Sequence, residues 1–598
     1  MMGLLQKAVE TYDAMAHRAG VMYQEEKEPL ALVSHIMVRG QIEITLDQDG
    51  NFVSARAMGK DDAKIIIPVT EESAGRTSAP CAHPLCDQLG YVAPYDETKL
   101  SLYLAALLDW EGSPYTHPKL RPIQNYVQGG TILADLSKAG IVQLDLDGRP
   151  ADGKMMVCWT VNGLGEGSNG TCWEDKSLMQ AFADYIAAKR SGSPPALCMV
   201  TGKMEASASQ HPKGIVALNG NAKLISANDS SGFTYRGRFN SSDQAATVSY
   251  TASQKAHCTL RWLAANQGVS FGNRTFLCWN PQGIQVPKVT GAMGRKSGGS
   301  QRAADPTQYR QQLLESLSGW KHELPARAGV VIAAFDAATT GRLSVTYYNE
   351  LLASDFLERL CVWEDTCKWE NGPFGIQSPA LFQIANLAFG ALRNGKVESD
   401  SRILSQQMQR LIACRIDRIA FPIDIERNLV EKASNMLIYT GPKPEDTRKL
   451  RENLLFTACA VIRKYHFDYF KEEWDMALDK DCTDRSYLFG RLLAIAEAVE
   501  RSTYSGENIR ETNALRMQKV FALRPMATWR ILEERLGPYY KQLNPGLRQY
   551  YRRITEEVAD KLPLSATDLN RKLEDVYLLG YYHQRAYRKE KQESETEE

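Results

Sequence analysis

From about residue 375 to the C-terminus, apolar residues recur every three or four positions and strand signals nearly vanish. The stretches LFQIANLAFGALRNG, SRILSQQMQRLIACRID, KLRENLLFTACAVIRKYH and RSYLFGRLLAIAEAVERS all carry the period of amphipathic helices. In the last of them Leu488, Leu492, Ile495 and Val499 form one stripe. Helices of this kind bury their stripes against one another, so the C-terminal third is expected to be an all-α helical bundle.

The N-terminal part has a different pattern. Leu4, Leu5, Ala8, Tyr12 and Met15 recur at helical spacing, and residues 35–69 then alternate, with DQDGN supplying a hairpin turn. Further strands are expected in KMMVCWTV (154–161), ALCMVTG (196–202) and TFLCWN (275–280). Helices are expected over 177–190 and 246–266. The fold class is therefore α+β. A mixed α/β body with several antiparallel strands spans 1–375 and includes a Gly-rich loop at 289–307. A helical connecting region (376–475) and a helical bundle (476–598) follow.

A content of 43% hydrophobic and 24% charged residues fits packed domains rather than disorder. Lys plus Arg and Asp plus Glu are both 71, so any affinity for nucleic acid must come from local patches. Twelve scattered cysteines fit reduced thiols and a cytoplasmic location. The first residues lack the apolar core of a secretory signal. No apolar run reaches the roughly 18 residues of a membrane helix, so no membrane partner is expected.

Motifs for enzyme chemistry are thin. GEGSNG (165–170) matches a dinucleotide-binding pattern, but no regular βαβ alternation follows, which favours a hairpin loop. Cys81, His83 and Cys86 in CAHPLC lack a clean second pair for zinc, and ordinary thiols are the simpler reading. HExxH, GxSxG and P-loop motifs are absent, and no catalytic set or cofactor is expected. His211 and His257, with a carboxylate, are the residues an unrecognised nucleic-acid-processing site would use.

Several segments instead combine cations with polar and aromatic residues. They are EESAGRTSAP with Arg76 and Thr77, HPKLRPIQNYVQGG with Lys119, Arg121, Gln124 and Asn125, and KLISANDSSGFTYRGRF with Lys223, Arg236 and Arg238. Cations neutralise phosphates, and Asn and Gln present paired hydrogen-bonding groups to base edges. Residues 510–589 carry 16 Lys/Arg against 9 Asp/Glu and include GPYYK, QYYRR and YLLGYYHQRAYRK. Rings stack on bases where cations meet the backbone, so this region is the strongest nucleic-acid signal.

Taken in order, GLLQKAVETYDAMA, IIIPV with GRTS, CMVTGK, HPKGI, SYTASQKAHCTLRWL, GRLSVTYYNEL, YLFGRLLAIAEAVE and LGYYHQR span the chain from end to end. This succession resembles the large subunit of the type I-C (Dvulg subtype) CRISPR surveillance complex, Cascade. The resemblance implies a non-catalytic subunit that engages a short flanking motif (the PAM) in double-stranded DNA, promotes opening of the duplex and helps hold the displaced strand. The implied partners are backbone subunits carrying guide RNA, a small subunit and a separate helicase–nuclease. Arg76, Thr77, Lys119, Gln124 and Asn125 become the candidates for PAM contact. Lys213, Arg236, Arg238, Lys255, Arg552, Arg553, Arg585 and Arg588 become candidates for nucleic-acid or subunit contacts, with Tyr581 facing inward. The bundle over 476–598 is expected to resemble the small subunit. Met476, after KEEWD, is a candidate internal start that would release a 123-residue product, with Asp484 capping its first strong helix.

Overall fold

MVCWTV, buried at every position, is the strand around which the first part of the chain folds. The computed structural model describes residues 2–59, 63–76, 79–164, 170–226, 239, 245–291, 303–504, 510–562 and 566–594. The chain divides into two units, Met1–Gln285 with Gly329–Leu351, and Val286–Ala328 with Leu352–Glu598. These limits differ from the expected divisions at 375 and 475, because residues 329–336 return to pair with strand 274–279 of the first unit.

The first unit contains helices α1 (Met2–Ala14), α2 (Glu71–Gly75), α3 (Leu120–Gly129), α4 (Lys176–Arg190) and α5 (Tyr250–Asn266). Its main strands are β1 (His35–Arg39), β2 (Ile42–Leu46), β3 (Phe52–Ala57), β4 (Lys64–Pro68), β5 (Asp87–Gln88), β6 (Met156–Val161), β7 (Val269–Phe271), β8 (Arg274–Trp279), β9 (Gly329–Asp336) and β10 (Ser344–Leu352). One sheet has the order β3-β2-β6-β5. β6 runs parallel to β2, with Ile44 opposite Trp159, and antiparallel to β5. Its central place explains its burial at every position, including Thr160, whose hydroxyl donates to Glu43. The expected DQDGN turn joins β2 to β3, where Asp47 accepts from the amides of Asp49 and Asn51, and Gly50 takes φ 90°.

The second sheet has the order β10-β9-β8-β7, and β9 is buried along most of its length. α1 and α5 join its core through Leu4, Leu5, Ala8, Ala256 and Leu260, together with Val331 and Phe335. α5 begins at Tyr250, four residues after the expected start, because Ser249 accepts from the Ala252 amide as its cap. ALCMVTG is strand only to Leu197, since Cys198–Lys203 closes into a turn.

The second unit contains α6 (Pro306–Glu323), α7 (Ala353–Thr366), α8 (Leu381–Phe389), β11 (Ala391–Arg393), β12 (Lys396–Glu398), α9 (Ser401–Asp417), α10 (Ile423–Ala433), α11 (Pro444–Phe470), α12 (Arg485–Arg501), α13 (Asn513–Leu523), α14 (Pro525–Gln542), α15 (Pro545–Ala559) and α16 (Tyr577–Ser594). The expected helix LFQIANLAFGALRNG stops at Phe389. The rest is a hairpin turned by Asn394 and Gly395, both at positive φ, the backbone signature of an Asn-Gly hairpin turn.

α12 is buried on nearly all sides. It crosses α16 at two glycines: a Cβ on Gly490 would collide with the Tyr577 carbonyl, and one on Gly580 with the Tyr487 carbonyl. The LFG and LLG stretches thus mark a close backbone approach. Elsewhere in this unit Arg415 is fully enclosed, paired with Glu364 at 2.7 Å and donating to the carbonyls of Val289 and Gly291. Among the described residues no helix is long and apolar enough to cross a membrane.

Candidate nucleic-acid interface

The PAM candidates fall on separate elements of the first unit. Arg76 follows α2 and grips Asp87 with both terminal nitrogens, at 2.6 and 2.8 Å, while donating to the Cys81 carbonyl. Its guanidinium lies 4.6 Å from the centre of the Tyr91 ring. Asp87 also accepts from the His83 amide, so Arg76 staples the CAHPLC loop in place. Burial pushes His83 down to about 4, and its Nδ1 lies 3.0 Å from the Ser73 hydroxyl. Among the described residues no three His, Cys, Asp or Glu side chains are grouped to hold a metal ion.

Lys119 departs from the expectation that it faces DNA. Its side chain has no exposed surface, and its ammonium sits 2.8 Å from Asp175 and donates to the Thr171 carbonyl. Asp175 also caps α4, so the pair is an internal strut. Gln124 is buried against Gln128. Asn125 is exposed, one turn from exposed Arg121, and reaches the Asp49 carbonyl in the β2–β3 turn. Thr77, Arg236 and Arg238 lie outside the described residues, as does most of GEGSNG.

Lys255 pairs with Asp13 at 2.6 Å. Lys213 is half-buried and makes a backbone bridge to Lys223. His211 and His257 do come together: their rings stack with centres 6.1 Å apart and both reach Ser253. Burial lowers them to about 3 and about 4, so both are neutral near pH 7. Among the described residues neither bonds a carboxylate, and they have the build of an internal polar contact.

In the second unit the C-terminal aromatic segment resolves into core and rim. Tyr581 is enclosed and donates to Glu497, as expected. His583 stacks on Trp369 and bonds the Tyr487 hydroxyl. Arg585 retains 29% of its side-chain surface, lies 3.6 Å from Glu497 and covers the Tyr581 ring. Burial opposes charge on Glu497, yet Arg585, Arg501 and the Tyr581 hydroxyl hold its carboxyl below the usual range. The side chain of Arg588 is outside the described residues.

Arg552 and Arg553 are exposed on α15, with Arg552 5.7 Å from the Tyr540 ring centre on α14. Arg510 is exposed and donates to the Tyr539 hydroxyl. Sequence reading passed over a neighbouring group on α13, where Arg516, Lys519, Val520 and Leu523 are all exposed. Their i, i+3, i+4, i+7 spacing was the available signal, but it equally describes a core stripe. The surface of α13–α15 thus carries cations, tyrosines and apolar side chains together, the mixture that strand binding uses.

The chain is thus a two-unit α+β protein whose second unit carries a basic, tyrosine-bearing helical surface. The sequence model of the CRISPR-associated protein family Cas_Csd1 matches residues 9–589, and the chain belongs to that family. Membership agrees with the type I-C resemblance and makes the chain a Cascade-type large subunit, a structural component of a CRISPR complex. No curated protein matches the chain.

Proposed function

We propose that this chain is the non-catalytic subunit that engages the PAM in double-stranded DNA, promotes R-loop formation, holds the displaced strand and presents a docking surface to the helicase–nuclease. The family match over residues 9–589 carries this reading. Guide pairing supplies sequence readout in such systems, leaving the protein a short flank and the DNA backbone to recognise. In the first unit, Asn125 is the exposed member of the described PAM candidates, and Arg76 and Lys119 act by holding the surrounding backbone. In the second unit, α13–α15 with Arg552 and Arg553 form the path for the displaced strand.

Met476 fits an internal start. It lies between the end of α11 and α12, and Asp484 accepts from the Tyr487 amide as the α12 cap. A product beginning there keeps α12 to α16, which pack on one another through α12. Expression of the gene with Met476 replaced by Leu tests this: the short product should disappear while the full chain remains. A short product that persists would refute the start. For the main reading, the complex reconstituted with and without this chain is assayed for flank-dependent DNA binding. Flank preference should require the chain, and Asn125→Ala should weaken it.

A further inference from the structure

In the first unit, backbone pairing sets three cations side by side. Lys213 pairs antiparallel with Lys223, and Lys223 pairs parallel with Arg342. The register is fixed by hydrogen bonds from the Gly214 amide to the Ala222 carbonyl, from the Lys223 amide to the Gly341 carbonyl and from the Leu343 amide to the Lys223 carbonyl. Residues paired in this way point to one face, roughly 5 Å apart. Like charges in such positions oppose the pairing that holds them.

Other cations of this unit have internal carboxylates: Arg76 has Asp87, Lys119 has Asp175, Arg190 has Glu71 and Arg274 has Asp336. Among the described residues, Lys213, Lys223 and Arg342 form no ion pair. Glu71 acts on Lys223 from a distance, but its oxygens already accept from Arg190, the Ser209 hydroxyl and the Gln210 amide. Burial, and after it the Lys213 charge, push the Lys223 amine down, and Glu71 only opposes that shift. A groove of about 510 Å³ opens beside the ladder, lined by Lys223, Ser226, Arg342, Thr346, Tyr347 and Tyr348.

We propose that Lys213, Lys223 and Arg342 hold the phosphodiester backbone of a nucleic-acid strand that runs along this groove. The proposal rests on the nucleic-acid role above and assigns part of it to a face that joins Lys213 and Lys223, read from separate segments of the sequence, to Arg342. The three charges span roughly 10 Å, enough for adjoining phosphates, and the tyrosines border the same groove.

The test is an amine-acylation footprint of the full chain, read by mass spectrometry, with and without a single-stranded 20-nucleotide DNA of mixed sequence. Saturating strand should reduce acylation of Lys223 about tenfold. Arg342→Gln should restore much of that reactivity and lower the salt slope of strand affinity by about 0.7, the loss of one phosphate contact. Lys213→Glu provides a second check. It gives Lys223 an internal partner and should raise thermal stability while weakening strand binding, whereas a merely structural ladder would gain stability with no loss of binding. If the strand binds and Lys223 stays fully reactive, this site is overturned and the broader role stands. If neither the chain nor its assembled complex binds any strand, both fall together.

Discussion

Replacing Gly580 by Ala should loosen the α12–α16 crossing on which the C-terminal bundle depends. An added Cβ meets the backbone carbonyl of Tyr487, which no rotamer change can move aside, so the helices must separate. Overpacking of this kind costs about 1–3 kcal/mol, with backbone collisions at the upper end. Alanine returns about 1 kcal/mol in helix propensity, leaving a net loss of about 2 kcal/mol. Gly319 is the matched control: it lies inside α6 with open space where its Cβ would go, so Gly319→Ala should stabilise by about 0.5–1 kcal/mol. Hydrogen exchange read by mass spectrometry resolves the two effects locally. Amides of α12 and α16 should exchange about 30-fold faster in Gly580→Ala, and those of α6 more slowly in Gly319→Ala. Unchanged or increased protection of α12 in Gly580→Ala would refute the close crossing.

Lys119→Ala should destabilise the first unit by about 3–5 kcal/mol, measured by urea denaturation, because it leaves Asp175 buried without its partner. The second unit should weaken in alkali. Burial opposes the charge on His466, but Asp575 at 3.0 Å and Glu472 at 2.8 Å push it up to about 9. Its folded value exceeds the ordinary one, so its contribution of about 3 kcal/mol is complete below pH ~6.5 and lost as pH rises through about 9. Denaturant titrations across that window should show the decline, and Asp575→Asn should flatten it. The double substitution Arg552→Gln and Arg553→Gln should lower the salt slope of single-strand binding by about 1.4 if both side chains meet phosphates, and leave circular dichroism unchanged.

Much of the fold was legible because its period was strong. The α12 stripe, the α4 and α9 helices, the β2–β3 turn and the buried β6 strand all follow from local pattern. The β11–β12 hairpin was missed because an apolar helix runs directly into it, although Asn394-Gly395 carried the turn signal. The unit limits lie away from residues 375 and 475 because β9 pairs with β8 across some fifty residues of intervening chain, and long-range pairing leaves no local period. The candidate site was less legible. Arg76 and Lys119 have the residue types of a DNA contact, but Asp87 and Asp175, 11 and 56 positions away, engage them internally. The Lys213–Lys223–Arg342 ladder likewise exists only once the chain around Arg342, more than a hundred positions on, pairs with the segment of Lys223.

The central claim is tested most directly by reconstituting the complex with backbone subunits and guide RNA, with and without this chain. Affinity is measured at fixed salt for matching duplexes carrying a library of flanking trinucleotides. The account predicts that one flank is strongly preferred and that the preference disappears when the chain is omitted. Flank preference that survives its omission, or failure of the chain to join the complex, would contradict it.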